Sequence, residues 1–542
     1  MSSIYKSILG LSALALVTLS GCKKYRDIND SPDNPAQVNI QLLLPSAEAH
    51  IAQQIGGKFQ VIGGIWSQYW TQNPSASQYR VFEQYQIAGS DIDNAWTGLY
   101  ADGLEDLNKI VELSGGSKNY ASIANILKGY TFQVLTDQFG DIPFTEALQG
   151  ETNKITSPHY DSQEKVYNGI IAMVQSAVDS IDGSAAPGSD DLIYGGDMTK
   201  WQKFGNTLLL KMYMRLAEKS PAVAQAGIQA LYANGIGFIG DGETAKIAYS
   251  SEAGNYNPLY SEINNAVINK TQNLIASKTA ADNFNNEDDP RIALFYAPGT
   301  SGFGGLTQGD YFSSAAGTSF ARPSAAVGGD ASTTTSATAP VIFISDYESY
   351  LLQAEAAVRG WGTGNAKALY EAAIAANFNQ YQAAFAQAQA DEILPTLVAD
   401  SMATSPTTKI ASEIKYDIAY AVNTYINGDS ALVGSGAYSL DGDSVFVTTA
   451  SSWGQFPTGG TPADQLKFII TQKWYCMCGN QSLEAWTEWR RTGYPTFFTH
   501  SVNSVIGTNF PQRFPYPDGE VSNNLNFPGQ KTVTEKVWWD VN

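Results

Sequence analysis

The sequence predicts a mainly α-helical fold, built from helical pairs, with long irregular loops and little β structure. In several segments, apolar side chains recur at spacings of three and four, which places them on one face of a helix. Strand-like alternation of apolar and polar residues is scarce by comparison. Short polar turns join the helical segments, which favours an α-solenoid-like packing of helical pairs, although no fixed-period repeat is visible.

Four segments carry the helical pattern clearly, over residues 119–136, 161–181, 201–216 and 347–359. The second opens with a polar, acidic stretch typical of a helix N-cap, and the fourth is followed by Gly360, a residue type common after a helix end. The apolar faces of the first three segments are formed by Ile123, Leu127, Tyr130 and Val134, by Val166, Ile170, Val174, Ala177 and Ile181, and by Trp201, Phe204, Leu208 and Met212.

Two long segments, near residues 297–340 and 426–464, interrupt the helical pattern and are rich in Gly, Ser, Thr and Ala. Loops of this length are uncommon in compact domains, and many of them have a function. They are interpreted either as ordered loops that face a ligand or partner, or as mobile surface decoration. Residues 38–542 are predicted to form a single domain that carries both segments as insertions.

Residues 1–21 have the pattern of a lipoprotein signal peptide. Lys6 precedes a run of twelve apolar or small residues, which is too short to span a bilayer, and small residues lead to Cys22. A cysteine at this cleavage point predicts that Cys22 becomes the lipidated first residue of the mature protein. The lipid would attach a soluble domain to a membrane without a spanning helix. The polar residues 22–37 are predicted to form a flexible tether.

The chain is strongly acidic, with 52 Asp and Glu residues against 32 Lys and Arg residues. Removal of the signal peptide would delete only the charge of Lys6 and would shift the net charge from −20 to −21. An acidic surface argues against nucleic acid or anionic lipid as a partner, because both bind to cationic patches. Contact with the membrane is therefore predicted through the N-terminal lipid only.

The residue types that hold metals are few and dispersed. The three histidines, His50, His159 and His500, form no ligand-spaced pair, and Cys476 and Cys478 have no second cysteine pair with which to complete a zinc site. Neighbours at the Cys476–Cys478 spacing rarely close a relaxed disulfide, so both are interpreted as buried, inert thiols. No metal site and no cofactor are predicted.

Motifs in both halves of the chain carry a family resemblance. Residues 481–495 resemble a signature of the SusD-like (SusD/RagB) outer-membrane lipoproteins of Bacteroidetes. The match is closest to a branch with a terminal Arg-x-Pro-Tyr-Pro, here residues 513–517, and a Trp-Trp-Asp pattern, here residues 538–540. Further matching stretches, in chain order, are Thr136 to Ala147, Trp201 to Leu208 and Gln353 to Trp361. The resemblance covers almost all of the mature chain.

The resemblance implies a scaffold of tetratricopeptide-like helical pairs that carries irregular loops. It also implies a nutrient-binding protein of the outer membrane, lipid-anchored and facing the cell surface, that captures oligosaccharide and acts as the lid of a SusC-like TonB-dependent transporter. Some members of the family bind peptide instead, and the sequence does not choose between the two ligands. One departure concerns export: Lys23 and Lys24 follow the cysteine, where surface-exposed relatives often have acidic residues.

The candidate ligand-binding residues come from two segments. The densest cluster of aromatic and amide side chains covers residues 66–85, and a second aromatic pair lies in the first long loop. Aromatic faces complement the C–H faces of a sugar, and amides hydrogen-bond its hydroxyls. The alternative is that Trp66 and Trp70, four residues apart, pack in a helical core. The predicted binding residues are Trp66, Tyr69, Trp70, Asn73, Tyr79, Tyr311 and Phe312.

A surface glycoside hydrolase is the remaining alternative, since it would also use exposed aromatics. It requires two carboxylates about 5–9.5 Å apart, one with a raised pKa. Glu484 and Glu488 share a helical face, but Arg491 lies one turn beyond Glu488 and favours an ordinary ion pair. Asp137 and Asp141 are explained by turn or capping roles. No catalytic residue is predicted, and Trp486 and Trp489 are assigned to the structural core.

Overall fold

The computed structural model describes residues 39–264, 272–287, 289, 291–392, 439–440, 443–444 and 453–542. The predicted signal peptide, the lipidation site at Cys22 and the tether lie outside the described residues, as does most of the predicted loop at 426–464. No helix in the described part of the chain is both long enough and apolar enough to cross a membrane.

Helices dominate the described structure, as the sequence predicts. In chain order they are α1 Ile40–Gly56, α2 Lys58–Trp66, α3 Arg80–Glu83, α4 Asp93–Thr97, α5 Glu105–Leu113, α6 Lys118–Phe139, α7 Gln163–Ser180, α8 Met198–Arg215, α9 Pro221–Ala233, α10 Pro258–Ile263, α11 Lys278–Asn286, α12 Ile292–Phe295, α13 Asp346–Val358, α14 Ala366–Glu392, α15 Pro462–Met477, α16 Ser482–Thr492 and α17 Asp518–Asn523. A π-helical turn at Gly98–Leu104 joins α4 to α5, and short 3-10 turns lie at Gly89–Asp91, Gly317–Ser319, Ala325–Val327 and Thr334–Thr338.

The described strands are short and pair only in antiparallel two-stranded ladders. They are β1 Trp70–Gln72 with β5 Leu274–Ala276, β2 Ile142–Pro143 with β3 Tyr160–Asp161, β4 Ala245–Ile247 with β8 Val341–Ile344, β6 Tyr296–Ala297 with β7 Arg322–Pro323, and β9 Ser439–Leu440 with β10 Asp443–Ser444. No ladder in the described part of the chain has more than two strands, so these strands form no layer of their own.

Consecutive helices pack against one another, which confirms the predicted helical pairs. Helix α6 packs on α7, α7 on α8, and α8 on α9, while α13 packs on both α14 and α15. The apolar residues predicted for one face each of α6, α7 and α8 are buried, with two exceptions. Val134 is partly exposed, and Ile181 lies just past the end of α7. Ser162 caps α7 by accepting from the Lys165 amide at 3.4 Å.

The long segment at residues 297–340 is packed onto the body. Leu306 donates from its amide to the Ala276 carbonyl at 3.0 Å, and the Ala276 amide donates to the Ala321 carbonyl at 2.7 Å. Residues 324–330 are buried. These contacts favour the interpretation of the segment as an ordered loop over that of surface decoration.

A buried ionic network links several helices of the body. The side chains in it are mostly buried, and the N···O distances of their ion pairs lie between 2.5 and 3.9 Å. The cations are Lys211, Arg215, Lys473 and Arg491, and the anions are Asp137, Glu348, Glu355, Glu484 and Glu488. Such groups are costly to bury singly but are stabilised when they are paired. The network joins α6, α8, α13, α15 and α16.

Candidate functional site

The structure places most of the predicted binding residues in the core, which corrects the expectation for them. Trp66, at the end of α2, is 2% exposed, and its ring packs against Tyr85, Trp486 and Phe514. Its indole N–H donates to the Phe82 carbonyl at 3.0 Å. Trp70 is also fully buried, so the core location of both rings is confirmed, but Trp70 lies on β1 and does not share a helical face with Trp66.

The polar atoms of the other buried candidates are engaged within the protein. The Tyr69 hydroxyl donates to the Trp474 carbonyl at 2.5 Å, and the Asn73 amide donates to the Gln272 carbonyl at 2.8 Å. The Tyr79 hydroxyl donates to Glu262 Oε1 at 3.3 Å, and its ring is buried. These side chains hold β1 and its flanking loops in place, so we keep none of them as a ligand platform.

Phe312 has a different environment from the buried candidates. Its side chain is 70% exposed, whereas the neighbouring Tyr311 is 1% exposed. The two ring centroids lie 4.8 Å apart. A large aromatic group is thus presented to solvent on a base that is itself fixed in the protein, which is the arrangement that a stacking platform requires.

Helix α3 contacts both rings of this platform, Tyr311 and Phe312. The Arg80 guanidinium lies 5.1 Å from the Tyr311 ring centroid and 5.4 Å from that of Phe312, within the range of a cation–π contact. The Gln84 side-chain amide donates to the Tyr311 hydroxyl at 2.8 Å. Gln84 directly follows α3 as its C-cap, so α3 and its cap together position both rings.

A second loop lies beside the platform. The Val505 amide donates to the Gln84 carbonyl, and the Val502 amide donates to the Gln308 carbonyl, both at 3.0 Å. The side chains of both valines are more than half exposed. We define the Phe312 patch as Arg80, Gln84, Phe312, Val502 and Val505. It offers an aromatic face, apolar surface, a planar cation and an amide.

A buried carboxylate lies beneath the patch. Glu83, the last residue of α3, is fully buried and accepts from the Gln72 amide at 2.8 Å and from Gln308 Nε2 at 2.8 Å. Burial raises the pKa of Glu83 to about 7, even though hydrogen bonds from Thr71, Gln72 and Gln308 oppose the shift. Because its side chain has no access to solvent, it has no position from which to act on a substrate.

Sequence reasoning missed several residues of this surface. Arg80 and Gln84 are four apart, a spacing that indicates a shared helical face, but nothing local indicates that this face meets Phe312 more than 220 residues later.

Trp489, assigned to the core, is only partly buried; its ring stacks on Phe498 at 5.5 Å. The assignment of Trp486 to the core is confirmed.

The carboxylate pair on α16 belongs to the ionic network. Burial opposes the ionised form of Glu484, but Arg215 and Lys211 hold its pKa below the usual value. The pKa of Glu488 is likewise held well below its usual value, against burial, by Arg491 and Lys473. A general acid needs a raised pKa, so this pair is unsuited to the role in glycoside hydrolysis.

The second acidic pair serves the fold in two different ways. Asp141 accepts from the Gln163 amide at 2.8 Å at the start of α7, which confirms a capping role. Asp137 is not at a turn; it lies inside α6 and pairs with Arg215 at 3.2 Å. The turn or capping role predicted for Asp137 is wrong, because helix α6 continues past it into the core.

Cys476 and Cys478 are free and buried, as predicted. Burial raises the pKa of both the Cys476 and the Cys478 thiol, although the Arg291 cation opposes the shift. A raised pKa keeps a thiol protonated and unreactive. Within the described residues, no group of three or more His, Cys, Asp and Glu side chains is arranged to hold a metal ion.

Comparison with protein families identifies the chain. A family model described as "Starch-binding associating with outer membrane" matches residues 32–517. The chain belongs to the SusD-like family. A search of curated proteins finds no match. Except for the Trp-Trp-Asp pattern at residues 538–540, the SusD-like motifs noted in the sequence lie inside the matched region, and several of them contribute residues to the ionic network.

Solved structures support the SusD-like fold. A chitin-binding SusD homologue from Flavobacterium johnsoniae is 22% identical, with a TM-score of 0.67 and coverage of 92% of this chain and 99% of the other. A SusD homologue from Bacteroides fragilis is 21% identical, with a TM-score of 0.68 and coverage of 93% and 99%. One from Bacteroides vulgatus is 23% identical, with a TM-score of 0.65 and coverage of 89% and 92%. The likeness confirms the mainly α, tetratricopeptide-like scaffold.

Proposed function

We propose that this SusD-like protein captures oligosaccharide on the Phe312 patch and delivers it to a SusC-like TonB-dependent transporter, on which it acts as a lid. The observation that carries the ligand proposal is the exposed Phe312 ring on a buried base. A sugar presents C–H faces that pack on an aromatic ring and hydroxyls that bond to groups such as Gln84. The family description as starch-binding, and the chitin-binding relative, favour a glycan over a peptide.

We propose that the protein binds its ligand without acting on it as an enzyme. The acidic pair that sequence spacing brings together is neutralised by cations in the core. The one buried carboxyl beneath the patch is enclosed by protein. Neither the Glu484 and Glu488 pair nor Glu83 combines a proton donor with a cleft that a substrate enters. Ligand capture, in contrast, requires only the surface groups of the Phe312 patch.

We further propose attachment to the outer membrane through lipid on Cys22, with residues 22–37 as the tether. The family's association with the outer membrane and the signal-peptide pattern both support this anchor. A flexible tether of this length lets a lid move relative to a barrel while it stays beside it. The proposed orientation is towards the cell surface.

Removal of the Phe312 ring is expected to weaken glycan binding. Loss of one stacking face of this size costs about 1.4 kcal/mol, or roughly a tenfold rise in Kd, because apolar area returns to water. Isothermal titration of maltoheptaose and chitohexaose against Phe312→Ala measures the change. Leu42→Ala is the matched control, since Leu42 is also 70% exposed but lies on α1.

Three outcomes of this titration would count against the proposal. Equal affinity of wild type and Phe312→Ala for a glycan would place the binding site elsewhere. An equal loss in Leu42→Ala would indicate a nonspecific effect of removing exposed apolar surface. Binding of unstructured peptides but of neither glycan, with the same dependence on Phe312, would replace the glycan with a peptide ligand.

The partner proposal predicts co-purification. Detergent-solubilised outer membranes should yield the protein together with a TonB-dependent barrel, identified by mass spectrometry. Cys22→Ala is expected to remove the protein from the membrane fraction, because the lipid is the proposed anchor. Repeated recovery of the wild-type protein alone would contradict the lid role, and unchanged membrane association of Cys22→Ala would contradict the anchor.

A further inference from the structure

A second exposed ring on an aromatic base lies in the loop that follows α16. His500 is exposed, and its ring stacks on Phe510, with centroids 4.2 Å apart and ring planes 24° apart. Phe510 in turn meets Trp489 of α16 edge to face at 5.0 Å, and both of these rings are only partly exposed. The construction resembles that of Phe312 on Tyr311, because an exposed ring is held by less exposed rings that are packed on the protein.

The backbone next to His500 is fixed by one buried side chain. Gln68 Nε2 donates to the Thr499 carbonyl at 2.5 Å, and Gln68 Oε1 accepts from the Thr499 amide at 3.0 Å. Gln68 is fully buried and has a left-handed backbone with a φ of 60°, which is costly for a non-glycine residue and persists only where surrounding contacts hold it. The His500 ring is thus presented by a preorganised segment, and preorganisation lowers the entropy lost when a ligand binds.

The same loop continues directly into the Phe312 patch. Val502 belongs to that patch and donates from its amide to the Gln308 carbonyl at 3.0 Å. The Asn503 side-chain amide donates to the next carbonyl, that of Gly309, at 2.8 Å. Two residues of chain span at most about 7 Å, so His500 lies at the edge of the Phe312 patch.

The loop carries no charged side chain of the Asp, Glu, Lys or Arg type. Residues 492–512 contain none of these, although they make up 15% of the chain, and residues 297–321 contain only Asp310. An ionic partner would find no opposite charge on this loop, whereas a neutral ligand loses nothing by its absence. The exposed polar side chains of the loop include Thr508 and Asn509, a hydroxyl and an amide that suit the hydroxyls of a sugar.

We propose that His500 and Phe510 form a second sugar-binding site, which we call the His500 subsite, and that one oligosaccharide lies across it and the Phe312 patch. The inference rests on the proposed function and adds the length of the ligand, which is a chain of several sugar units and not a mono- or disaccharide. Each exposed ring packs against a separate sugar unit. Because the second contact is made by a ligand already held at the first, two weak contacts combine into a higher affinity for a chain that reaches both.

The test compares sugars of different length on the full-length protein. Isothermal titration of chitobiose and chitohexaose, and of maltose and maltoheptaose, is carried out on the wild type and on His500→Ala. We expect the wild type to bind a long sugar at least about tenfold more tightly than the short one of the same kind. His500→Ala should raise the Kd of the long sugar by roughly three- to tenfold and leave that of the short sugar within about twofold, because the short sugar still binds at the Phe312 patch.

His159→Ala is the matched control for this titration. His159 is also exposed, but it lies immediately before β3 and its ring contacts Glu146 at 2.9 Å. A spectroscopic readout reports contact independently of affinity. The chain has three histidines, so their imidazole signals in protein with ¹³C-labelled histidine are assignable by substitution. A saturating long sugar should shift the His500 signal and leave the His159 signal unchanged.

The outcomes separate the subsite from the proposed function. A His500 signal that does not move, or a Kd for the long sugars that His500→Ala leaves at the wild-type value, overturns the subsite. If Phe312→Ala still weakens binding in that case, the proposed function stands without it. Binding of no sugar of either length overturns both proposals. If His500→Ala retains sugar binding but abolishes co-purification of the TonB-dependent barrel, the loop contacts the transporter and the subsite is wrong.

Discussion

Arg215→Ala is expected to lower the free energy of unfolding by about 3–5 kcal/mol, the range measured when one partner of a buried ion pair is removed. The Arg215 side chain is fully buried and pairs with three carboxylates, Asp137, Glu484 and Glu488, at 3.2, 2.6 and 2.5 Å. Without the guanidinium, these acids keep part of their charge in a low-dielectric interior. Urea unfolding followed by circular dichroism measures the loss.

Two further variants separate burial from charge in this measurement. Lys278→Ala removes an exposed i, i+4 pair with Asp282 at 2.8 Å and should have an effect close to zero. Arg215→Lys keeps the positive charge but removes the planar guanidinium with its several N–H donors, so we expect an intermediate loss in the free energy of unfolding. If Arg215→Ala unfolds at the same urea concentration as Lys278→Ala, the ionic network does not stabilise the fold.

Gly63→Ala is expected to cost about 3 kcal/mol, because it forces two helices apart at their backbones. A Cβ atom on Gly63 of α2 would lie 2.4 Å from the Leu483 amide nitrogen and 2.8 Å from the Ser482 carbonyl carbon, at the start of α16. Backbone atoms at a packed helix contact have no rotamer through which to move aside, so overpacking here displaces a whole element. Urea unfolding again reports the loss.

The displacement should also weaken contacts made by α16. Gln60 Nε2 donates to the Ser482 hydroxyl at 3.0 Å beside the contact, and Glu484 and Glu488 follow within two turns. Gly519→Ala in α17 is the matched control, since its Cβ would meet its nearest atom, Asp93 Oδ1, at an ordinary 3.6 Å. An unfolding midpoint for Gly63→Ala equal to that of Gly519→Ala would show that α2 and α16 tolerate separation.

The sequence motifs that identify the family converge on the core and not on the proposed Phe312 patch. The motif at residues 136–147 supplies Asp137, the motif at 353–361 supplies Glu355, and that at 481–495 supplies Arg490 and Arg491. The Trp539 indole donates to Asp137 Oδ1 at 2.8 Å. Family recognition therefore identified the scaffold correctly but carried no information on which residues bind ligand.

The candidate site shows where sequence reasoning reached its limit. The aromatic cluster at residues 66–85 has the composition of a sugar-binding surface, yet composition is the same for a buried cluster. The four-residue spacing of Trp66 and Trp70 suggested a shared helical face, but α2 ends at Trp66 and Trp70 lies on β1. Phe312 was selected by the same criterion and is exposed, while Tyr311 next to it is buried.

Local sequence patterns established the helical class, the approximate extent of α6, α7, α8 and α13, and the pattern of a lipoprotein signal, because periodicity, caps and signal peptides are read over a few neighbouring residues. The tertiary structure decided which aromatic rings reach solvent, that Arg80 and Gln84 support Phe312, and that Glu83 lies beneath them. Exposure and charge environment depend on segments hundreds of residues apart that meet only on folding. Periodicity predicted the buried faces of the helices, but for the aromatic residues outside them burial is a property of the packed chain that the local pattern did not specify.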